Sequence, residues 1–587
     1  MKEKWFEMRK GADFLKIAET FGINPIIARL IRNRDLIDEK EIDCYLHGSL
    51  DELFDGMLMK DMDKAVAILS EKIQEGKTIR IIGDYDIDGV NAAYILLEGI
   101  KSLGGQVDTD IPDRMKDGYG LNEQLIDRAL ECDIDTIITC DNGIAAYQEV
   151  QYAKSMGMTV IITDHHEVPY EEVKEGRRYI LPPADAVVNP KQTDCTYPFD
   201  GLCGAGVAYK LVEALINVTG GDAEEIDYLM ENVAIATVGD VMDLVNENRI
   251  FVKQGLEMIQ HTKNLGLKAL MECTQISPEH LSAYHIGFVL GPCMNASGRL
   301  DTAKRALDLL CSKSKKEADI LAGDLKALND HRKEMTMHGV QQAMEQLQNA
   351  SFTEQKILVI YLPDCHESLA GIIAGRIREA YHKPCIVLTK GEVEIKGSGR
   401  SIEAYNMFEE FSKCKDLYTK FGGHHMAVGL SMKEENLMKF REKINQLTTL
   451  TKEDFIPKVS IDMQLPFHLI NEQLIQELTL LEPFGKGNTK PLFAEKEIQI
   501  KSMRIIGKNK NVLKFSAEDQ RGTGMEAIYF GKVETCIAYM SEKFGEETIK
   551  ELLNGKKPDV KMAFTYYPDI NEYMGQKKLQ IVVQNYQ

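Results

Sequence analysis

Long apolar runs are missing from this chain of 587 residues. None approaches the ~18 residues that a membrane-spanning helix needs. The first residues, Met1-Lys2-Glu3-Lys4-Trp5, also lack the apolar core of a secretory signal. Paired cysteines are absent: the 12 cysteines are scattered singly, with no C-x-x-C pair and no zinc-like spacing. That distribution suits reduced thiols in a cytosol. The expectation is a soluble, cytoplasmic protein with no membrane association. Positive charge is in deficit, with 70 Lys and Arg against 91 Asp and Glu and a net charge of −21. Nucleic-acid binders usually show a basic footprint. Binding needs only a local basic groove, however, and a metal site consumes acids. Nucleotide-cofactor fingerprints are incomplete. Gly76-Lys77-Thr78 lacks the earlier P-loop glycine and precedes its strand, and Gly204-Ala205-Gly206 lacks the third glycine of a dinucleotide site. No internal repeat and no low-complexity tail is present.

What is there is ordinary globular composition, 44% hydrophobic and 27% charged, and length for three or four domains. Residues 1–60 read as short amphipathic helices, with Phe14, Ile17, Ala18 and Phe21 at helical spacing. Residues 61–302 alternate helix and strand. The apolar runs at 79–83, 136–140 and 159–163 read as strands, and the run at 233–239 reads as either strand or helix. Such runs separated by helices signal a parallel sheet covered on both faces, which binds ligands beyond its carboxyl ends. Residues 303–350 contain no proline and keep helical spacing (Leu321, Leu325, Leu328, Val340, Met344, Leu347), as one long helix joining two lobes would. Residues 351–451 form a second α/β segment, with two glycine-punctuated loops at 397–401 and 421–425. Residues 452–587 are short alternating strands, expected to make a small β-barrel or sandwich.

The chemistry concentrates where strands end. Asp84, Asp86 and Asp88 follow the run Ile79-Arg80-Ile81-Ile82, and period two would set them on one face. Three like charges there repel unless something cationic sits among them. Asp141, then Asp164-His165-His166, then Asp240 follow later apolar runs. Any one of these acids could simply cap a helix. Together, carboxylates and imidazoles without thiolate suit a hard or borderline divalent ion such as Mn²⁺ or Mg²⁺. Two such ions ~3.5–4 Å apart clamp the attacking and leaving oxygens of a phosphoryl displacement and lower the pKa of a bound water.

The segments Asp84-Tyr85-Asp86-Ile87-Asp88-Gly89, Asp141-Asn142-Gly143, Asp164-His165-His166 and Gly239-Asp240 resemble, in order, the four motifs of the DHH phosphoesterases. Four further segments resemble the RecJ branch: Gly291-Pro292-x-x-Asn295-Ala296-x-Gly298-Arg299, Gly397-Ser398-Gly399-Arg400-Ser401, Phe421-Gly422-Gly423-His424 and Glu482-Pro483-Phe484-Gly485-x-Gly487-Asn488. The resemblance runs from about Phe21 to the C-terminus. It implies an α/β fold: a parallel-sheet DHH domain (61–302) and a smaller DHH-associated α/β domain (351–451), joined by the long helix (303–350). An N-terminal helical segment (1–60) and a C-terminal OB-like β domain (452–587) complete it. It also implies a single-stranded-DNA-specific 5′→3′ exonuclease that releases mononucleotides in DNA repair and recombination.

Carried over by position, Asp84 and Asp86 would ligate one ion, Asp88, His165 and Asp240 the other, and Asp141 would bridge. Asp164 and His166 would be catalytic, with His166 beside the scissile phosphate. Arg114, in Ile111-Pro112-x-Arg114-x-x-x-Gly118-Tyr119-Gly120, would hold the DNA 5′ end with Arg299, Ser398 and Arg400, and Gly423 and His424 would join the DNA-binding set. Arginine forks suit phosphate, and glycine loops let backbone N–H groups approach it. Cys293 stands where many relatives carry arginine, and Cys365 where they often carry tryptophan. Lys496, Lys501, Arg504, Lys508, Lys510 and Lys514, with Phe515, Tyr529 and Phe530, would suit a strand-tracking groove with stacking aromatics.

The expected partner is single-stranded DNA with a free 5′ end, admitted by a cleft too narrow for a duplex. A single-strand-binding protein and a helicase are plausible associates of a monomeric enzyme. One alternative is a DHH phosphodiesterase of short oligonucleotides or cyclic dinucleotides, which generally lacks the extra N-terminal and β segments. The other is a non-enzymatic replication scaffold, which typically loses metal ligands.

Overall fold

The computed structural model describes every residue except Met1, Lys2, Met115, Lys116, Tyr119, Glu175, Asp222, 349–353, Lys557 and Met574. Tyr119 of the Arg114 motif and the expected boundary at 350/351 lie outside the described residues. The chain divides into two compact units, Ser49–Pro457 and a unit made of Met1–Gly48 with Lys458–Gln587.

In the first unit a five-stranded parallel sheet runs in the order Gln106–Asp110, Thr78–Gly83, Thr136–Cys140, Thr159–Thr163, Ala186–Val188. Its inner strands are mostly apolar because both faces are covered, Arg80 being the charged exception, paired with Asp108 at 2.7 Å. Ile79, Ile81, Ile138 and Ile161 belong to the core on one side, whereas Ile82, Ile137, Val160 and Ile162 belong to the core on the other. That is the period-two alternation of an extended chain. The second strand in this order, Thr78–Gly83, leads directly into the helix Ile87–Ser102, which is buried along most of its length.

The run at 233–239 belongs to a helix, Met230–Gly239, and Asp240 caps its C-terminal end. Buried on nearly every side, the run at 233–239 shows no apolar stripe, so periodicity could not separate it from a buried strand. The connecting segment is two helices, Lys304–Leu310 and Lys315–Leu347, broken where the Ser314 hydroxyl accepts from the Glu317 N–H at 3.3 Å and starts the second.

A second sheet follows in the order Lys420–His424, Ala427–Met432, Ile395–Arg400, Cys385–Lys390, Leu358–Tyr361, antiparallel except for the last pair. The two glycine-rich segments expected as loops are therefore largely strands of this sheet. Glycine is needed for close packing: a Cβ on Gly397 would sit within 3.2 Å of Ile386, Leu388 and Leu430, and one on Gly399 would meet Met407 Sδ at 2.7 Å.

The second unit is built on a closed barrel. Phe493–Ile506, Val512–Glu518, Gly524–Tyr529, Gln576–Tyr586 and Lys561–Tyr573 pair in a ring that returns to Phe493–Ile506, so no long edge is left open. Phe515 faces into this barrel and is buried against Phe564. It cannot stack on a base, because alternation along Val512–Glu518 turns it inward. Lys501 and Lys514 are paired with Glu518 and Glu526, both at 3.0 Å, so part of the expected basic concentration is neutralised.

The N-terminal segment is not wholly helical. Lys4–Glu7 is a strand parallel to Lys458–Ile461, and Ile27, Leu30, Ile31 and Ile42 complete the barrel's core. The Glu482–Asn488 motif fastens this junction. Buried Asn488 donates Nδ2 to the Leu481 and Pro483 carbonyls, both at 2.8 Å, and its Oδ1 accepts from Arg34 Nε (2.6 Å) and Tyr45 OH (2.9 Å). Asn488→Ala is expected to lower the unfolding midpoint of the full chain, at about 1–3 kcal/mol for each buried polar group left unsatisfied. Scanning calorimetry checks this, and an unchanged midpoint would contradict it.

Candidate metal centre

The turn after Thr78–Gly83 folds back so tightly that a Cβ on Gly89 would lie 2.5 Å from the Asp84 backbone nitrogen. Glycine there draws three acids around one point. Asp86 caps the helix Ile87–Ser102, its Oδ1 accepting from the N–H groups of Asp88 (2.9 Å) and Gly89 (3.2 Å). Asp88 is fully buried at the start of the helix Gly204–Thr219, where its two oxygens accept from the Gly204 and Ala205 N–H groups, both at 2.7 Å. The positive end of that helix favours a carboxylate. Asp141 follows the next strand in a left-handed conformation, φ 59°, an uncommon state for a non-glycine residue.

His165, after the third strand, sets Nε2 among three carboxylates: 3.0 Å from Asp141 Oδ1, 3.6 Å from Asp88 Oδ2 and 3.9 Å from Asp240 Oδ2. The donor atoms fall into three overlapping groups, each within 4.8 Å: Asp84, Asp86 and Asp141; Asp88, His165 and Asp240; and Asp141, His165 and His166. Asp141 is common to the first and third groups, and His165 links the third to the second. Asp164 stands behind them. Its buried carboxylate accepts from the Ile144, His165 and His166 N–H groups and from His166 Nδ1 at 2.8 Å, which fixes that ring.

The electrostatics point to a cation. Burial first, then the charges of neighbouring aspartates, pushes Asp84 and Asp141 well above the ordinary carboxylate range, and Asp88 up to about 6. Burial and the charge of His166 push His165 down to about 3. His166 rises to about 9, because against its burial the hydrogen bond and charge of Asp164 hold the proton. Asp164 itself stays below the usual range, its burial outweighed by His166. Asp84 Oδ1 is buried with no hydrogen-bond partner. Two cysteines are close by, but burial pushes the Cys140 and Cys203 thiols well up, so they offer no thiolate. An all-oxygen and imidazole set with an orphaned carboxylate oxygen fits one or two hard divalent ions.

Beside this cluster lies a cavity of about 450 Å³ lined by Arg114, Arg299, Arg376, Ser398 and Arg400, with Phe288 at its wall. Arg114 lies 5.1 Å over the ring of Tyr85, the residue between Asp84 and Asp86. Arg299 Nη1 donates to the Ser368 carbonyl at 3.1 Å, and Arg400 Nη1 to Ser398 Oγ at 3.2 Å. Burial, then Arg114 and Arg332, lowers Arg299 to about 10, and burial with Arg378 lowers Arg400. Clustered, partly desolvated guanidinium groups favour an anion. The helix Ala370–Tyr381 adds its positive end, and a Cβ on Gly371 would collide with Arg400 Nη2 and Ser398 Oγ at 2.8 Å. The two acids in the wall are engaged, Glu367 by Lys396 at 2.8 Å and Glu379 by Arg378 at 3.4 Å.

The structure thus gathers Asp84, Asp86, Asp88, Asp141, Asp164, His165, His166 and Asp240 at one point, and Arg114, Arg299, Ser398 and Arg400 at the next. Gly423 and His424 do not join them; they sit on the exposed strand Lys420–His424 and do not line the cavity. Sequence reasoning missed Arg376 and Phe288. The one available signal for Arg376 was Gly371 and Gly375, four residues apart on a helix, which open one face to the cavity. Cys293 is buried and accepts from Asn329 Nδ2 at 3.3 Å, while Asn329 Oδ1 holds Arg332 through Nε (3.1 Å) and Nη2 (2.9 Å). Asn329 thereby places the Arg332 guanidinium, from the long helix, in the charged neighbourhood of Arg299. Cys365 packs in the apolar core with Ile373 and Met344.

Sequence models of three domains match the chain: the DHH family N-terminal domain at residues 78–237, the DHHA1 domain at 354–449 and the RecJ OB domain at 461–585. The single-stranded-DNA-specific exonuclease RecJ of Bacillus subtilis (strain 168) is 35% identical over 568 residues, covering 95% of this chain and 70% of that protein. The RecJ of Escherichia coli (strain K12) is 33% identical over 582 residues, covering 96% and 95%. The crystal structure of RecJ in complex with Mn²⁺ from Thermus thermophilus superposes with a TM-score of 0.82 at 26% identity, covering all of this chain and 79% of that one.

Carboxylates with raised pKa values stabilise the fold below their unfolded pKa of about 4 and lose that contribution as pH rises through the folded value, about 6 for Asp88. A divalent ion should therefore raise the thermal midpoint more at pH 7 than at pH 5; at a hundred times its Kd the ion stabilises the fold by about 2.7 kcal/mol. Asp141→Asn should keep or raise the midpoint in chelator, with one repelling charge fewer, and lose most of the gain with Mn²⁺. Thermal melts at the two pH values check both statements.

Proposed function

This chain belongs to the RecJ family of DHH phosphoesterases, and from that premise we propose that it is a metal-dependent 5′→3′ exonuclease that degrades single-stranded DNA to mononucleotides. The observation that carries the reading is the single residue, Tyr85, between the acid cluster and the arginine cavity. Its neighbours Asp84 and Asp86 face the metal position and its ring lies under Arg114. A nuclease that grips a terminal phosphate and cuts the adjacent diester needs these two environments side by side.

Asp84 and Asp86 would hold one ion and Asp88, His165 and Asp240 the other, with Asp141 within reach of both sets. When bound, Mn²⁺ or Mg²⁺ ions supply Lewis acidity to the phosphoryl oxygens and lower the pKa of a water. The remaining work belongs to the chain. Asp164 accepts from His166 Nδ1 and fixes the imidazole, whose charge then faces the phosphate oxygens. Arg114, Arg299, Ser398 and Arg400 hold the terminal phosphate, with Arg376 added from the helix Ala370–Tyr381. A cavity that neutralises a dianion selects a strand end over an internal position, which makes the activity exonucleolytic. Such an enzyme would serve DNA repair and recombination in the cytoplasm. A helicase or a single-strand-binding protein would expose its substrate.

Asp86→Ala and Asp141→Ala are each expected to abolish Mn²⁺-dependent nucleotide release from a 5′-labelled single strand. Full activity in either would defeat the assignment. Arg400→Ala is expected to cost about 10–150-fold in kcat/KM on a 5′-phosphorylated strand, the equivalent of ~1.5–3 kcal/mol for hydrogen bonds to a charged group. The loss on a 5′-hydroxyl strand should be smaller. Equal losses on both strands would remove the terminal phosphate from the account.

A further inference from the structure

An aromatic pair stands at the mouth of the arginine cavity with nothing covering it. Phe288 is 69% exposed, the most exposed aromatic ring among the described residues, and Tyr284 is 63% exposed. The two rings are stacked, with centroids 4.9 Å apart and planes 24° from parallel. Scattered apolar residues on a surface need no explanation. This pair differs from that background in being stacked, rigidly mounted and next to an anion site.

The mount is a π-helical turn, Ile286–Leu290, running directly into the helix Gly291–Leu300. Such turns are rare and often occur at functional sites. It is wedged from behind by the metal-bearing elements. A Cβ on Gly291 would meet Ile87 Cδ1 at 3.1 Å, and one on Gly287 would lie 3.5 Å from Val238, two residues before Asp240. Asn295 Oδ1 accepts from the Ile87 N–H at 2.8 Å. Ile286 and Leu290 are buried beneath, and the Ser282–His285 pair closes the start of the segment at 2.9 Å. The rings are therefore held in place while their faces stay in water.

We propose that Phe288, backed by Tyr284, is a stacking platform for a base of the DNA strand whose 5′ phosphate occupies the arginine cavity. The inference rests on the exonuclease reading and adds to it a subsite for the base. Phe288 itself lines that cavity, and in a nucleotide only the sugar separates the phosphate from its base. A strand anchored by its phosphate thus brings a base to the platform. Every base has a π-face, so such a contact strengthens binding without selecting sequence. That suits an enzyme which must advance through any sequence one nucleotide at a time. It also supplies affinity that a chain with a net charge of −21 does not draw from long-range attraction.

The test compares wild type with Phe288→Ala, Phe288→Trp and Tyr284→Ala. The substrates are 5′-phosphorylated oligothymidylates, intact or with one abasic sugar at each of the first four nucleotides, and the reading is kcat and KM in Mn²⁺. Phe288→Ala should raise KM roughly tenfold on the intact strand, and Phe288→Trp should restore it. One abasic position should raise the wild-type KM by a similar factor while leaving Phe288→Ala unchanged, because the ring and the base act only together. The Mn²⁺-induced rise in thermal midpoint should survive in all variants. A Phe288→Ala enzyme with wild-type KM, or with undiminished sensitivity to every abasic position, overturns the platform and leaves the exonuclease intact. A wild-type protein that degrades none of these strands overturns both.

Discussion

Repulsion among buried carboxylates is the constraint on which the rest of this structure depends. Asp84, Asp88 and Asp141 are withdrawn from water within a few ångströms of one another, with Asp86 and Asp240 at their edge. Left alone they hold protons they would release in water. The fold bears that cost by fixing them from outside. The start of the helix Gly204–Thr219 grips Asp88, Gly89 closes the first turn, and a left-handed backbone aims Asp141. A binding site that must not collapse around its ion is assembled from elements stable for other reasons, the parallel strands and the helices that cover them. Divalent cations convert the stored repulsion into affinity.

The arginine cavity is the opposite case beside the first. There burial first, then neighbouring positive charge, depresses Arg299 and Arg400, and the missing counter-charge is an anion. The two frustrations are complementary: a phosphodiester brings the negative charge that one site lacks to ions held by the other. Tyr85 lies between them, so any shift of the metal loop also moves the support of Arg114. Gly298 holds the same loop from beneath, since a Cβ there would run into the Tyr85 carbonyl. In the proposed reaction, binding of the terminal phosphate and activation of the neighbouring bond would therefore be mechanically coupled through Tyr85.

Much of this could be read from residues alone, for a physical reason. Strands covered on both faces write continuous apolar runs, and the acids that end them stand out against that background. Hence the parallel sheet and the cluster of acids and histidines at its carboxyl ends were legible, whereas Ser398 and Arg400 entered only through the family resemblance. Other features were not. The segment Met230–Gly239 is buried almost all round, so neither period appears in its apolar run 233–239. The strand Ile395–Arg400 reads as a loop because its glycines answer to neighbours distant in sequence. Phe515 looked like a stacking ring until the barrel's alternation turned it inward. Arg332 and Phe288 carry no local signature; one depends on Cys293 leaving room and an amide partner, the other on a turn wedged between Ile87 and Val238. Residues 1–48 looked like a separate helical layer, yet their core is shared with a barrel more than 400 residues away.

The central claim is that two ions share Asp141. Electron paramagnetic resonance of the full chain titrated with Mn²⁺ tests it most directly. The account predicts two ions bound per chain and an exchange-coupled spectrum, absent when Asp141 is replaced. A single bound ion giving an isolated six-line signal at saturation would contradict it.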